Sequence, residues 1–350
     1  MSYDPADLIE RYLGDALAGH RQRAVSVALD LLDEGVPKSR ILCEVLAPAQ
    51  RETGRRWQRG ELTVADEHIV SGATHSAVEA LATTEAVTPA QGLVAVVCAE
   101  GEWHALPALM FVEELRDHGQ GVLCLGPSVP AGDLPAVFAR HQPDAVAISC
   151  SVALHYRGVT AVADAAHTHG LPVLAGGRSL TSRRAAALGA DGWATDVRDA
   201  ADLLDGWRQQ PPSMFRDGAH LDPGAVALDD RAGQYADLAF STLEDRLPQL
   251  ASYTERQRAH TRADLEYIAR YLAAAGLVGE PELFAEFIDW LADLLDHRGV
   301  PVSAVHEGLQ ALSTHLGDHP QAAQLAATTL AMVADAPRRG HPQPTQRQAH

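Results

Sequence analysis

Thiols are scarce and one-sided in this chain. Of 350 residues only Cys43, Cys98, Cys124 and Cys150 are cysteines, without CxxC or zinc-type spacing, and none follows Cys150. Their apolar surroundings predict reduced core thiols in a cytoplasmic protein, not a disulfide framework or a zinc site. Basic residues are also few: 28 Lys and Arg against 46 Asp and Glu leave a net charge of −18 with His neutral. No local basic patch offsets it, which argues against nucleic-acid binding by phosphate neutralisation. The longest apolar run, Leu93–Ala99, falls far below the roughly 18 residues that span a bilayer. The start, MSYDPADLIERYL, is acidic and amphipathic and lacks the plan of a secretory signal.

What is present is a globular composition, 46% hydrophobic, with an unusual 17 histidines. A chain of this length predicts two or three domains. Residues 1–88 read as helices, with apolar positions at helical spacing in Leu8, Tyr12, Leu13 and Leu17. The same spacing recurs in Val25, Val27, Ala28, Leu31 and Leu32, then in Ile41, Val45 and Leu46. Pro37 opens the third helix, and Arg59-Gly60-Glu61 separates it from a fourth starting near Val64. A four-helix bundle is predicted.

From about residue 89 the rhythm changes. The runs LVAVVCAE, GVLCLG, AVAISCS and PVLAGG alternate with helices over 105–118, 132–141 and 156–169, and a helix near 182–188 precedes the short strand GWATD. Strands alternating with helices of this size give a parallel sheet, and continuous apolar strands mean burial on both faces. The expectation for 89–207 is thus a flavodoxin-like, Rossmann-type α/β domain. Residues 208–235 read as a linker and 236–336 as helices, with starts and stops at Pro248, Gly276, Pro281, Gly299-Val300-Pro301 and Pro320. The Pro- and Gln-rich tail 337–350 reads as disordered.

Ligands of open α/β sheets bind beyond the carboxyl ends of the strands, and Glu102, Trp103 and His104 fall there. A carboxylate two positions before a His can hold one ring nitrogen and fix its tautomer for a metal. The segment EGEWHALPALM resembles the (D/E)xHxxG signature of corrinoid proteins, with Pro107 in place of the Gly. The resemblance implies cobalamin bound base-off, with His104 as the lower axial ligand of cobalt and Glu102 behind it. Ser149 and Ser151 resemble the SxL-type motif that lines the nucleotide tail. Gly176-Gly177 resembles the GG motif that lets the tail approach the backbone.

The bundle carries Trp57, with Glu67 and His68 ten and eleven residues later. By residue type these are a core Trp and a solvated helix start. A bundle placed before a cobalamin domain is similar to corrinoid methyltransferase proteins and to CarH-type light-sensing regulators. WQRGELTVADEH matches the Trp…Glu-His spacing of the CarH group without gaps. That resemblance implies a cap of Trp57, Glu67 and His68 over the upper ligand, and adenosylcobalamin in preference to methylcobalamin. It departs from CarH in lacking an N-terminal DNA-binding helix-turn-helix. Gln58 also stands where CarH carries a His that ligates cobalt after photolysis.

AHTRADLEYIARYLAAAG is first an amphipathic helix, yet Asp264, Glu266, Arg270 and Tyr271 match the chromophore helix of phycobiliproteins, and GVPVSAVHEGL resembles a downstream segment of their globin-like fold. The resemblance implies an all-α, globin-like domain holding a bilin near Arg262, Asp264 and Tyr271, with His260 as a neighbour. Thr261 fills the usual Cys position and Arg262 lies one position early, so the bilin expected is non-covalent biliverdin. The full arrangement resembles the photocobilins, bacterial light sensors with both chromophores. It implies a cytoplasmic, non-enzymatic homodimer that signals to a separate, unknown partner, with no nucleic acid or membrane involved. Two alternatives stay open: the corrinoid protein of a methyltransferase system, and a regulator with a cofactor-free C-terminal interaction domain.

Overall fold

The computed structural model describes residues 4–82, 92–213 and 221–335. The N-terminal bundle contains α1 (Pro5–Leu17), α2 (Arg21–Asp33), α3 (Lys38–Ile41), α4 (Ala47–Gln58) and α5 (Val64–Ala82). A π turn, Leu42–Leu46, joins α3 to α4, so the third predicted helix is one rod with a local widening. The apolar spacing read from the sequence becomes the core: Tyr12, Leu13, Val27, Leu31, Ile41 and Val45 are buried together with Val70 and Val78 of α5. One polar contact crosses that core, Tyr12 Oη to Thr74 Oγ1 at 2.8 Å.

Five parallel strands follow: β1 (Leu93–Cys98), β2 (Gly121–Gly126), β3 (Ala145–Ser149), β4 (Val173–Gly176) and β5 (Gly192–Trp193), ordered β2-β1-β3-β4-β5. The helices are α6 (Ala105–Asp117), α7 (Leu134–His141), α8 (Tyr156–Thr168), α9 (Ser182–Ala187) and α10 (Val197–Gln209). Alternate residues of β1 serve two cores, which explains its unbroken apolar run. Val94, Val96 and Cys98 pack with Ala108, Val112 and Leu115 of α6 and Leu204 of α10. Ala95 and Val97 pack with Phe138 of α7 and Tyr156 and Val159 of α8. The order reverses direction between β1 and β3, so the crevice beyond their carboxyl ends is the switch point where such sheets take ligands.

The bundle is joined to α6. Met110 enters the bundle core, and the buried Lys38 Nζ donates to Glu113 at 3.2 Å and Asp117 at 2.8 Å. Cys43 corrects the expectation of four core thiols. It is exposed and donates its S–H to Glu114 at 2.8 Å. Cys98 and Cys150 are buried, and burial pushes both thiols up to about 12.

The C-terminal part is helical: α11 (Pro223–Asp230), α12 (Ala232–Arg246), α13 (Glu255–Val278), α14 (Pro281–Asp296), α15 (Val302–Ser313) and α16 (Pro320–Asp335). The linker expected over 208–235 is therefore corrected, since α10 continues to Gln209 and Asp222-Pro223 begins a helix. Asp222 accepts the Ala225 amide at 2.7 Å while Pro223 occupies the first turn, a start signal that resembles a loop in sequence. Gly276 is no stop either. A Cβ there would lie 3.0 Å from Ala225 Cβ, so the glycine lets α13 press against α11, and the helix ends at Gly279 with φ +64°. Residues 83–88 of the expected bundle and the expected disordered tail at 337–350 lie outside the described residues.

These helices share one core with the α7–α9 face of the sheet. Ionic contacts reinforce the junction. The buried Arg184 of α9 donates to Glu280 at 2.7 Å, and Arg157 of α8 reaches Asp229 at 3.1 Å. Arg270 of α13 bonds both Asp229 and the Leu154 carbonyl at 3.3 Å.

Candidate functional site

The chain leaves β1 through a tight turn in which the Glu102 amide donates to the Ala99 carbonyl at 2.9 Å. The turn buries the Glu102 side chain completely and leaves that of His104 63% exposed. One carboxylate oxygen accepts from His104 Nδ1 at 2.5 Å and from the His104 amide at 3.0 Å. The other accepts from the amides of Ser151 at 2.8 Å and Val152 at 3.1 Å. A single carboxylate thus ties the loop after β1 to the loop after β3, across the switch point. Burial works against its charge, but the bonds from the His104 ring and backbone and the Ser151 amide hold it down at about 2.

An ionised Glu102 can only accept, so His104 Nδ1 carries a proton, and in the neutral imidazole Nε2 keeps the lone pair. The hydrogen bond to Glu102 raises the imidazole above its ordinary range, burial opposes this, and the fields of Glu102 and Glu67 add to the rise. Glu67 of the bundle is therefore close enough to act on the histidine beyond β1. It also accepts from Ser71 at 2.5 Å, whereas His68 is mostly solvent-exposed with Nε2 3.6 Å from Glu67. Among the described residues there is no group of three or more His, Cys, Asp and Glu that could hold a bare metal ion. A lone imidazole suits a metal that arrives with its remaining ligands.

The loops after β3 and β4 complete the floor. Sheet register sets Ser149 opposite Gly176, and the Cys150 amide donates to the Gly176 carbonyl at 2.9 Å. The two glycines differ in what they do. A Cβ on Gly177, at φ +114°, would lie 2.2 Å from the Cys150 carbonyl oxygen, so the fold itself requires glycine there. A Cβ on Gly176 would meet only the Ala194 oxygen at 3.7 Å, which leaves open space above it. Ser151 Oγ is buried without a partner, a donor that awaits an acceptor. His155 escaped the sequence reading. It packs against Gly101, where a Cβ would come within 2.9 Å of its Nδ1, and burial lowers its pKa despite the field of Glu102. Its only sequence signal is its place just past the third strand.

The profile of a family described as "B12 binding domain" matches residues 8–82, and a second profile of the same description matches residues 92–202. The HTH-type transcriptional repressor CarH of Myxococcus xanthus is 32% identical over 174 residues, 49% of this chain and 58% of that protein. Residues 8–82 and 92–202 carry B12-binding domains. The chain spans less than two thirds of that relative's length. Among solved structures, the monomethylamine corrinoid protein of Methanosarcina barkeri shares the fold. It has a TM-score of 0.51 and 18% identity, covering 58% of this chain and 100% of that one. The residues present fit a corrinoid. Nε2 of His104 is free for cobalt, Ser151 Oγ lacks an acceptor, and the space above Gly176 is clear.

The four residues expected around a bilin divide between two flanks of α13. His260 and Asp264 interact electrostatically, and Tyr271, seven positions beyond Asp264, stacks on Phe287 at 3.7 Å. Burial pushes Asp264 up to about 6, against the opposing fields of His260 and Arg298. Arg262 lies on the other flank, 3.3 Å from Asp237 and over the Phe240 ring at 4.2 Å. Trp57, at the end of α4, meets the C-terminal helices, with the Arg298 guanidinium 5.0 Å from its ring centre. No helix of the described residues is long and apolar enough to cross a membrane.

Proposed function

We propose that the chain is a photocobilin-type light sensor that binds adenosylcobalamin base-off through His104. The observation that carries this reading is the Glu102-held imidazole, with a free Nε2 at the switch point and Glu67 of the bundle within electrostatic reach. Adenosylcobalamin, when bound, supplies a cobalt–carbon bond that visible light breaks. The chain's own residues do the rest. Glu102 fixes the tautomer and aim of His104, as carboxylates behind metal-bound imidazoles do. Ser149, Ser151 and Gly176 would receive the nucleotide tail, and Gly177 keeps the turn that presents them. Trp57 would exclude water from an organic upper ligand, while Glu67 and His68 offer hydrogen bonds to its hydroxyls. Without an upper ligand, Trp57, Glu67 and His68 would lose the contacts that favour the resting position of the bundle.

Biliverdin, held without a covalent bond, would lie along the flank of α13 that carries His260, Asp264 and Tyr271, and would extend absorption to red light. Asp264 suits pyrrole N–H groups because it is buried enough to need donors. Arg262 is already engaged with Asp237, so its part is the weakest of the set. We expect a cytoplasmic homodimer that passes its signal to a separate partner. The competing reading, a corrinoid shuttle of a methyltransferase system, draws on the shared fold. A shuttle's cap would have to break the bonds of Gln58 and Trp57 to the C-terminal part at every turnover, whereas a sensor's cap breaks them once per signal.

Absorption spectroscopy of protein expressed with both cofactors tests the proposal. A light-sensitive alkylcobalamin spectrum with a far-red band is expected, and His104→Ala should lose the corrin spectrum alone. Uptake of corrin without biliverdin removes the C-terminal half of the reading. A bound corrin that accepts and donates a methyl group with a methyltransferase replaces it with the shuttle.

A further inference from the structure

The corner between α14 and α15 grips the tip of the cap. Arg298 lays its guanidinium over the Trp57 ring at 5.0 Å. Its two terminal nitrogens donate to the carbonyls of Trp57 and Gln58, each at 3.4 Å, and one also donates to Leu294 at 2.9 Å. From the same corner, Asp293 accepts the Gln58 amide group at 2.7 Å. The bonded carbonyls belong to the last turn of α4, where the helix dipole favours a cation, and the Trp57 carbonyl accepts the Gly60 amide at 3.0 Å as well. The position after Trp57 that departs from the CarH pattern is thus occupied here by a residue that bonds to the C-terminal helices.

Arg298 also acts beyond the cap. Its charge acts on Asp264, whose carboxyl it draws down against burial. One side chain therefore contacts the ring expected over the upper ligand and lies within electrostatic reach of the acid on the α13 flank.

We propose that Arg298 is a positioning residue that couples the cap to the C-terminal helices. It holds Trp57 in the resting position and passes its departure to α14, whose Leu294 carbonyl it also bonds. This inference rests on the light-sensor reading given above. Contacts made only in the resting position are lost when the cap moves, so Arg298 would lose its planar partner and its two carbonyls together. A lysine could keep the charge but not the flat, forked contact with ring and carbonyls.

Hydrogen exchange on the full-length protein tests this in two steps. In the apo protein, Arg298→Met should speed exchange of the amides of residues 59–61, which cap α4, at least fivefold. Arg298→Lys should fall between, and unchanged exchange in both variants overturns the grip. In protein loaded with adenosylcobalamin, illumination should change exchange across residues 290–300 at least threefold in the wild type. Arg298→Met should abolish that change while the corrin spectrum still bleaches at the wild-type rate. If bleaching in the wild type leaves residues 290–300 untouched, or if Arg298→Met keeps the response, the coupling is wrong and the sensor reading stands. If light does not alter the corrin spectrum at all, the sensor reading fails and the coupling with it.

Discussion

Two carboxyl groups, each beside a histidine, are treated in opposite ways by this fold. Glu102 is buried among four N–H donors, two from His104 and one each from Ser151 and Val152, and it stays ionised down to about 2. Asp264 is partly buried on α13 with no hydrogen bond or ion pair among the described residues, and it is pushed up to about 6. The first acid is complete before any ligand arrives, so it can fix another group in place. The second lacks donors, and its burial costs stability unless donors come from outside the chain. A preorganised anchor and an under-satisfied acid are thus two different kinds of binding residue, only one of which contributes to stability on its own.

The largest break in that contrast comes at Glu102. Glu102→Gln keeps the size, cannot bind all four donors as an anion does, and should cost roughly 3–5 kcal/mol in denaturant unfolding. It should also weaken corrinoid binding by about 10–100-fold, read by spectral titration. The pH dependence has a definite sign. In the unfolded chain Glu102 takes up a proton near its ordinary 4.5, whereas the folded chain resists until about 2. The stabilisation is therefore complete above about pH 5 and fades as pH falls towards 2, a fall that Glu102→Gln should not show over this window.

A smaller break separates fold from ligand within one motif. Gly177→Ala forces a Cβ into the Cys150 carbonyl at a left-handed φ and should cost about 2–4 kcal/mol, lowering the melting temperature of the apo protein. Gly176→Ala meets nothing closer than 3.7 Å and should leave apo stability within about 1 kcal/mol. Only corrinoid affinity should suffer there. Equal effects of the two substitutions on the apo protein would contradict the division of roles.

This pair shows where the sequence was readable. Glu102 and His104 are two residues apart and their partners lie at strand ends, so the motif and the strand pattern together implied the geometry. The five strands were legible because continuous apolar runs follow from burial on both faces. The pattern misleads where one residue type serves two purposes. Asp222-Pro223-Gly224 resembles a turn but starts α11, and Gly276 resembles a stop but admits a neighbouring helix. The phycobiliprotein resemblance groups Arg262 with Asp264, although two positions on a helix turn a side chain to the opposite flank. The role of Arg298 gave no signal, because its partners Trp57 and Gln58 lie some 240 residues away in the chain.

Asp264→Asn tests the under-satisfied acid from the other direction. Burial raises the folded carboxyl from 3.8 to about 6, so keeping it ionised at pH 7 costs about 1–2 kcal/mol after allowance for solvent screening. The sign follows from the two states. Below about pH 3.8 both are protonated and there is no penalty, which grows up to about pH 6 and is constant above. Asp264→Asn should therefore stabilise the apo protein at pH 7.5 and have little effect at pH 3.5, measured by thermal unfolding at both values. Under the sensor reading the same substitution should weaken biliverdin uptake, so stability and binding move in opposite directions.

The smallest effect belongs to Arg262. Its ion pair with Asp237 is exposed on both sides and contributes about 0–1 kcal/mol. Its guanidinium over Phe240 adds at most about 1 kcal/mol at such a site. Arg262→Ala should therefore lower stability by about 1 kcal/mol or less, and biliverdin uptake should stay within twofold of the wild type. Because Arg262 and Asp264 occupy opposite flanks of α13, the two substitutions ask which flank meets a ligand. A tenfold loss of biliverdin uptake in Arg262→Ala, with Asp264→Asn unaffected, would move the ligand to the Asp237 flank. The raised carboxyl of Asp264 would then be only a cost of packing α13 against the Arg298 corner, and the contrast with Glu102 would be one of burial without function.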